Sequence, residues 1–413
     1  MRILSGKSAA DCVRKIEQRS SRLETIEPAV RRIVEDVRRN GDRALLKYAR
    51  MFDALAPRQN LRVSDSELRA AWKSAAEPLR KALRVAEKNI RRFCEWQKPK
   101  EWTRSRHGIS LGQLVRPVDS CGCYVPGGRF PLVSTLLMTV IPAQVAGVKN
   151  IRVVSPHPSR EVLAAAAMLG VREFYRVGGA QAIAALAYGT EMIARVDKIV
   201  GPGNLYVTAA KKLVSFDCAI DMLAGPTEAV IVSASGNPAF IAADLLAQAE
   251  HDPETLAVFI TTSKKLAASV VSETKRRSSQ NKIAAQSLKT RGAVLIASSR
   301  RQAFDWANLI APEHITVEKS DLTMIQNAGS VFVGDYSAQA AGDYACGPNH
   351  VLPTAGTARF RGGLSVMDFV KLITVQNLSE NGLRKIAPAI MTLAETEGLR
   401  AHADSIRVRC ANA

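Results

Sequence analysis

Aromatic residues make up only 5% of the sequence, so it offers few flat surfaces on which the bases of a single-stranded nucleic acid could stack. It also lacks a long, clean apolar run. The most apolar stretch, Leu132 to Val148, is interrupted by Ser134, Thr135, Thr139, Pro142 and Gln144, which leaves it too short and too polar for a bilayer span; it reads as a buried helix. The opening residues contain no apolar core of the signal-peptide type, so neither export nor a membrane is expected and the cytoplasm is the expected location. No CxxC pair occurs among the seven cysteines, an odd number spread from Cys12 to Cys410. That pattern excludes a disulfide framework and fits reduced thiols. Cys121 and Cys123 flank one glycine and would share a strand face as small buried hydrophobes. Two chemical signatures are missing as well. There is no GxGxxG, because Tyr206 stands where a third glycine would have to follow Gly201-Pro202-Gly203, and the six histidines form no HExxH.

What is present is material for a large core. A chain of 413 residues, 47% apolar and 23% charged, is globular and exceeds one typical core, so two main domains with smaller appendages are expected. The formal charge of +19 would attract phosphate, but its distribution argues against a nucleic-acid partner. In segments such as Val30 to Arg50 and Leu79 to Phe93 the arginines interleave with apolar positions, the pattern of solvated helix faces.

Residues from about Ser8 to Gln97 read as helices, with Asn40-Gly41 as a stop signal and Ser64 to Glu67 at capping-box spacing. From Cys121 onwards short β-rich runs alternate with helical ones, as in "CGCYVP", "STLLMTVIPAQVAG", "NIRVVSP" and "REVLAAAAMLG". A second alternation begins at "EAVIVSA" and runs to "SVFVGD". The fold class is therefore α/β, with two Rossmann-like parallel-sheet domains that lack the GxGxxG fingerprint, a helical N-terminal region and a small helical C-terminal tail. The boundaries fall at 1–118 for the helical region, part of it packing with the second domain, 119–228 for the first α/β domain, 229–365 for the second and 366–413 for the tail. The tail is too small for its own core and must pack on another domain or another subunit.

Groups able to do chemistry are scattered. Glycine turns at "VPGG", "VGGAQ", "GPGN" and "AGPTE" lie at strand ends, where open α/β sheets bind ligands. Gln248 and His251 are three apart on an expected helix and could share an ion, although a histidine beside a helix C-terminus would also satisfy the dipole there. Glu313 and His314 precede a β-branched run and could divide acid and base work, or form an ordinary surface loop. Asp343 and His350 lie in a glycine- and proline-rich segment too long for a simple turn, and Glu397 and His402 lie in the tail. Together, glutamine, histidine, aspartate and histidine make a nitrogen and oxygen set suited to zinc with one position open for substrate.

Taken with the stretches "YVPGG", "PAQVAGVKNI", "VGGAQAIAALAYGTE", "KIVGPGNLYVTAAKK", "DMLAGPTEAVIV", "DLLAQAEHDP", "APEHITV" and "AGDYACGPNHVLPT", in that order, the sequence resembles histidinol dehydrogenases over nearly its whole length. The resemblance implies oxidation of L-histidinol through L-histidinaldehyde to L-histidine with two NAD, the last steps of histidine biosynthesis. It implies one zinc per subunit, held by Gln248, His251, Asp343 and His402, with His314 as general base and Glu313 activating water in the second step. Substrate contacts fall on Ser134, Thr227, His350 and Glu397 together with the zinc ligands and His314, and NAD contacts on Tyr124, Gln181 and Asn204. It further implies a homodimer in which the C-terminal segment crosses over, so that Glu397 and His402 complete the partner's site. Thr227 stands where serine is common in the family, keeping the hydroxyl and adding a methyl group. Paralogues resembling sulfopropanediol dehydrogenases keep the same zinc and base positions; Glu397, which would repel a sulfonate, favours the amino alcohol.

Overall fold

The computed structural model of the chain describes residues 1–19, 23–127 and 131–411, so Gly128 of the "YVPGG" motif lies outside the described residues. Two units divide it, one of Met1–Gln97 with Asp119–Phe369 and one of Lys98–Val118 with Val370–Ala413.

The larger unit contains two sheets in which every pairing is parallel. The first has the strand order Glu173–Tyr175, Asn150–Val154, Ser120–Tyr124, Lys198–Val200, Ala219–Ile220. The second runs Arg2–Ser5, Ala293–Ile296, Leu256–Thr261, Glu228–Val232, His314–Val317, Ser330–Val333. In both the chain starts at a central strand, winds outwards to one side, then returns to build the other side; the N-terminal strand is added at the edge of the second sheet. The central strands Ser120–Tyr124 and Glu228–Val232 are buried at every position, as strands covered by helices on both faces must be. Cys121 and Cys123 are both fully buried there.

Sequence order and packing diverge at the N-terminus. The helix Gly6–Glu17 places Ala9 and Val13 in the core of the second sheet, whereas Leu23–Phe52 puts Val30, Val34, Val37 and Leu45 into the core of the first. Gly41, with φ 50° and ψ −131°, breaks Leu23–Phe52 at the expected stop, and Ser64 and Glu67 form the expected capping box of Asp65–Ser74. The apolar stretch that was too short for a membrane forms the helix Val133–Ala146, in which Leu136, Met138, Val140 and Ile141 are fully buried. No helix among the described residues is long and apolar enough to cross a membrane.

The smaller unit contains a feature absent from the sequence reading. Trp102–Arg106, Ile109–Pro117 and Val370–Leu378 form an antiparallel sheet, followed by the helices Glu380–Thr396 and Arg400–Ala411. Its hairpin turns through His107 at φ 51° and Gly108 at φ 82°, the two positive values that a tight turn between twisted strands requires.

One buried ion pair shapes the open end of the first sheet. Lys211, on the helix Leu205–Val214, donates to Asp221 and also to the carbonyl of Gly201 at 2.9 Å, while the N–H of Gly201 donates to Asp221 Oδ2 at 2.7 Å. The two side chains are 2% and 0% exposed. A Cβ on Gly201 would lie 2.2 Å from the carbonyl oxygen of Tyr124, so this turn passes against the end of the central strand as only glycine can. Removing the cation with Lys211→Met leaves a buried carboxylate without its partner and should lower stability by about 3–5 kcal/mol. Equilibrium denaturation checks this, and a loss below about 1 kcal/mol would mean that the pair contributes no more than a surface one.

Candidate active site

Three elements of the larger unit bring an amide, a carboxylate and an imidazole together. Gln248 is the penultimate residue of the helix Pro238–Ala249, Asp343 lies in the short helix Gln339–Tyr344, and His314 opens the strand His314–Val317. Gln248 Nε2 donates to Asp343 Oδ2 at 2.9 Å, and Asp343 Oδ1 lies 3.2 Å from His314 Nε2. The short helix can lie this close because Gly342 faces the ring of Phe332, where a Cβ would come within 2.7 Å. Phe332 in turn stacks on His314, with ring centres 5.8 Å apart.

His350 joins the cluster from the other side. Its Nδ1 donates to the backbone carbonyl of Asp343 at 2.7 Å and its Nε2 lies 3.4 Å from Thr135 Oγ1, next to Ser134 at the start of the helix Val133–Ala146. Behind His314, Glu313 Oε2 is 3.8 Å from Nδ1 and accepts the N–H of Glu228 at 3.1 Å, so Thr227, the preceding residue, borders the cluster as well. Glu228 and its partner Arg19 were missed in the sequence. Arg19 donates through Nε to Glu228 Oε1 at 2.5 Å and through Nη2 to Oε2 at 2.7 Å, while the N–H of Ala355 donates to Oε1 at 2.9 Å. The available signal was an ionisable residue heading a strand that is otherwise wholly apolar.

Electrostatics separate the titrating groups. Burial pushes the carboxyl of Glu313 up to about 8. Burial also works against charge on His314, but Glu313 and the hydrogen bond to Asp343 outweigh it and leave the imidazole more basic than usual. The carboxyl of Asp343, which burial alone would raise, is held below the usual range by His314. His350 is made less basic by burial.

His251 departs from expectation. The helix is capped at Glu250, so His251 lies just beyond it, exposed, with its N–H on the carbonyl of Gln248 at 3.2 Å, and the two do not share a helix face. Of the four expected zinc ligands, Gln248 and Asp343 are the two that touch. Among the described residues no group of three or more histidine, cysteine, aspartate or glutamate side chains is arranged to hold a metal. Gln248 meets Asp343 through its amide nitrogen, and turning the amide over would bring two oxygen donors together, so these residues fit part of a zinc site that needs further donors. Glu397 and His402 belong to the smaller unit, where both are exposed, Glu397 as the cap of Glu380–Thr396 and His402 in Arg400–Ala411.

The expected NAD residues gather at the C-terminal edge of the first sheet. Tyr124 ends the central strand, and its hydroxyl accepts the N–H of Gly179 at 3.1 Å. Gln181 is 1% exposed and donates to Asp53 Oδ2 at 3.0 Å, the atom that also accepts the N–H of Gly178. Both side chains thus shape the turn into the helix Gly179–Tyr188, while Asn204 is exposed and caps Leu205–Val214 through a 3.1 Å bond from Val207.

A carboxyl held neutral by burial stabilises the fold fully below its unfolded value near 4.5, and that contribution is lost as pH rises through about 8. Glu313→Gln should therefore gain thermal stability relative to the parent as pH rises across this window. A difference in thermal midpoint that stays flat with pH would contradict the assignment.

A family model described as Histidinol dehydrogenase matches residues 16–410. Histidinol dehydrogenase of Methanothermobacter thermautotrophicus is 46% identical over 91% of this chain and 92% of its own, and that of Geobacter metallireducens is 45% identical over 93% and 92%. Among solved structures, the crystal structure of histidinol dehydrogenase from Elizabethkingia anophelis superposes with a TM-score of 0.94 at 35% identity, covering 99% of this chain and 98% of that one.

Proposed function

Because the chain belongs to the histidinol dehydrogenase family, we propose that the cluster around Asp343 oxidises L-histidinol through L-histidinaldehyde to L-histidine with two NAD, completing histidine biosynthesis in the cytoplasm. The observation that carries this reading is the meeting of amide, carboxylate and imidazole from separate elements, Gln248 on Asp343 at 2.9 Å and Asp343 on His314 at 3.2 Å.

Gln248, His251, Asp343 and the partner subunit's His402 would hold one zinc per subunit, nitrogen and oxygen donors suited to a borderline divalent ion. Bound there, zinc supplies a Lewis acid that fixes the imidazole and amino nitrogens of the substrate. Proton movements fall to the chain's own side chains. His314 Nε2, the nitrogen on the side of Asp343, takes the proton of the alcohol as the carbon loses hydride to NAD, and its raised basicity suits that task. In the second oxidation Glu313 takes a proton from the water that adds to the aldehyde; with its carboxyl pushed up to about 8 the ionised form is a strong acceptor, and more of the protein holds it as pH rises towards that value.

Ser134, Thr227 and His350 line the substrate, with the partner subunit's Glu397 on its ammonium group. Tyr124, Gln181 and Asn204 lie where the N-termini of Gly179–Tyr188 and Leu205–Val214 favour the pyrophosphate of NAD. Exchange of the tail between two copies accounts for its uncovered apolar surface: Leu372, Ile373 and Val375 on the strand Val370–Leu378 are 45%, 44% and 38% exposed, and Leu393 and Val408 on the helices 63% and 59%.

Adding L-histidinol to the zinc-loaded protein should reduce NAD, and chelation should stop it; turnover of a sulfonated diol in its place would move the assignment to a paralogous alcohol. His314→Asn should lower kcat by about 10²–10⁴-fold with zinc content unchanged, and loss of zinc would contradict its role as base. Gln248→Ala and His402→Ala should each be inactive alone, yet activity should return when the two are mixed under subunit exchange, because one mixed site is then intact. No recovery in a mixture shown to contain heterodimers would refute the shared site.

A further inference from the structure

A second polar row lies beside the first. His314 and Thr316 alternate onto one face of their strand, while Asp244 and Gln248, like Gln339 and Asp343, are four residues apart on one face of a helix. The six side chains therefore form two parallel rows across the same three elements. In the first, Gln248 meets Asp343 and Asp343 meets His314. In the second, the backbone N–H of Gln339 donates to the carboxylate of Asp244, and Gln339 Nε2 donates to Thr316 Oγ1 at 3.0 Å.

Gln339 is fully buried, and its Oε1 has no hydrogen-bond partner. Leaving an amide oxygen unpaired in the interior is costly, and a position that needed bulk alone would be better filled by leucine. The helix that carries it has six residues, less than two turns, and is too short to fix its own place. Its first residue is gripped on one side by Asp244 and on the other by Thr316, and the carboxylate of Asp343 stands one turn further along.

We propose that Gln339, held between Asp244 and Thr316, is a positioning residue that sets where the Asp343 carboxylate stands against Gln248 and His314, and thereby how tightly zinc is held there. The proposal rests on the zinc reading above. It puts the decisive grip on Asp343 outside the residues that touch metal or substrate.

The test measures the zinc dissociation constant of the full-length protein by competition with a chromophoric chelator, alongside the thermal midpoint of the zinc-free protein. Gln339→Leu keeps the volume and should weaken zinc about tenfold or more, within the 10–100-fold range for partners of metal ligands, with little change in the zinc-free midpoint. Thr316→Val should do the same, Thr316→Ser should stay near the parent, and the double variant Gln339→Leu with Thr316→Val should lose no more than either alone. If Gln339→Leu does not fold, the contrast between Thr316→Val and Thr316→Ser decides. Parental zinc affinity in Gln339→Leu or in Thr316→Val, with or without a fall in midpoint, overturns the proposal while leaving the zinc reading intact, provided the parent binds zinc more tightly than Asp343→Ala. Equal affinity in the parent and Asp343→Ala overturns the zinc reading, and this proposal with it.

Discussion

Two carboxylates, Glu228 and Glu313, are buried side by side where the central strands of the second sheet begin, and the protein must find a way to keep them out of water. It does so asymmetrically. Glu228 is paired with Arg19 through two short hydrogen bonds, and burial still lifts its carboxyl above the usual range. Glu313 receives a backbone N–H and faces the His314 ring at 3.8 Å, with no guanidinium against it, and is pushed up to about 8. Charges in the interior persist only when matched or neutralised, and the two solutions stand one strand apart. Arg19, the loop at Ala355 and the starts of two strands are fixed by this arrangement, and His314 takes its place between Glu313 and Asp343 because of it.

The two sheets wind in the same sense but use opposite ends. Tyr124 and the Gly201 turn lie at the C-terminal edge of the first sheet, the usual ligand crevice of an open parallel sheet, where two helices start and their positive ends face outwards. Glu313 and His314 lie at the N-terminal edge of the second, where the last turn of Pro238–Ala249 carries Gln248 and the helix dipole favours a cation. Helix polarity alone thus favours an anion at the edge of one sheet and a cation at the edge of the other.

Much of the architecture was legible because buried parallel strands and the helices between them leave strong periodic traces, and the capping box at Ser64, the break at Gly41 and the buried helix Val133–Ala146 fell where expected. The antiparallel sheet was not legible. Trp102–Arg106 is exposed at every residue and so carries no alternation of apolar and polar positions, and Val370–Leu378 was merged with the helices that follow. The site was legible only through resemblance, since Gln248, His314 and Asp343 come from separate elements with no local spacing to betray them. His251 was misplaced because a helix end moved by two residues turns a shared face into a flanking loop. Glu228 escaped attention because its partner, Arg19, lies 209 positions away in the chain.

The edge strand Arg2–Ser5 pairs with Ala293–Ile296, and so an early segment of the chain waits for a much later one during synthesis. Contacts between such distant parts of a chain are slow to close and leave strand edges open in the meantime. Arg2–Ser5 must therefore stay unpaired while the first sheet assembles, because its partner strand follows all of that sheet in the chain.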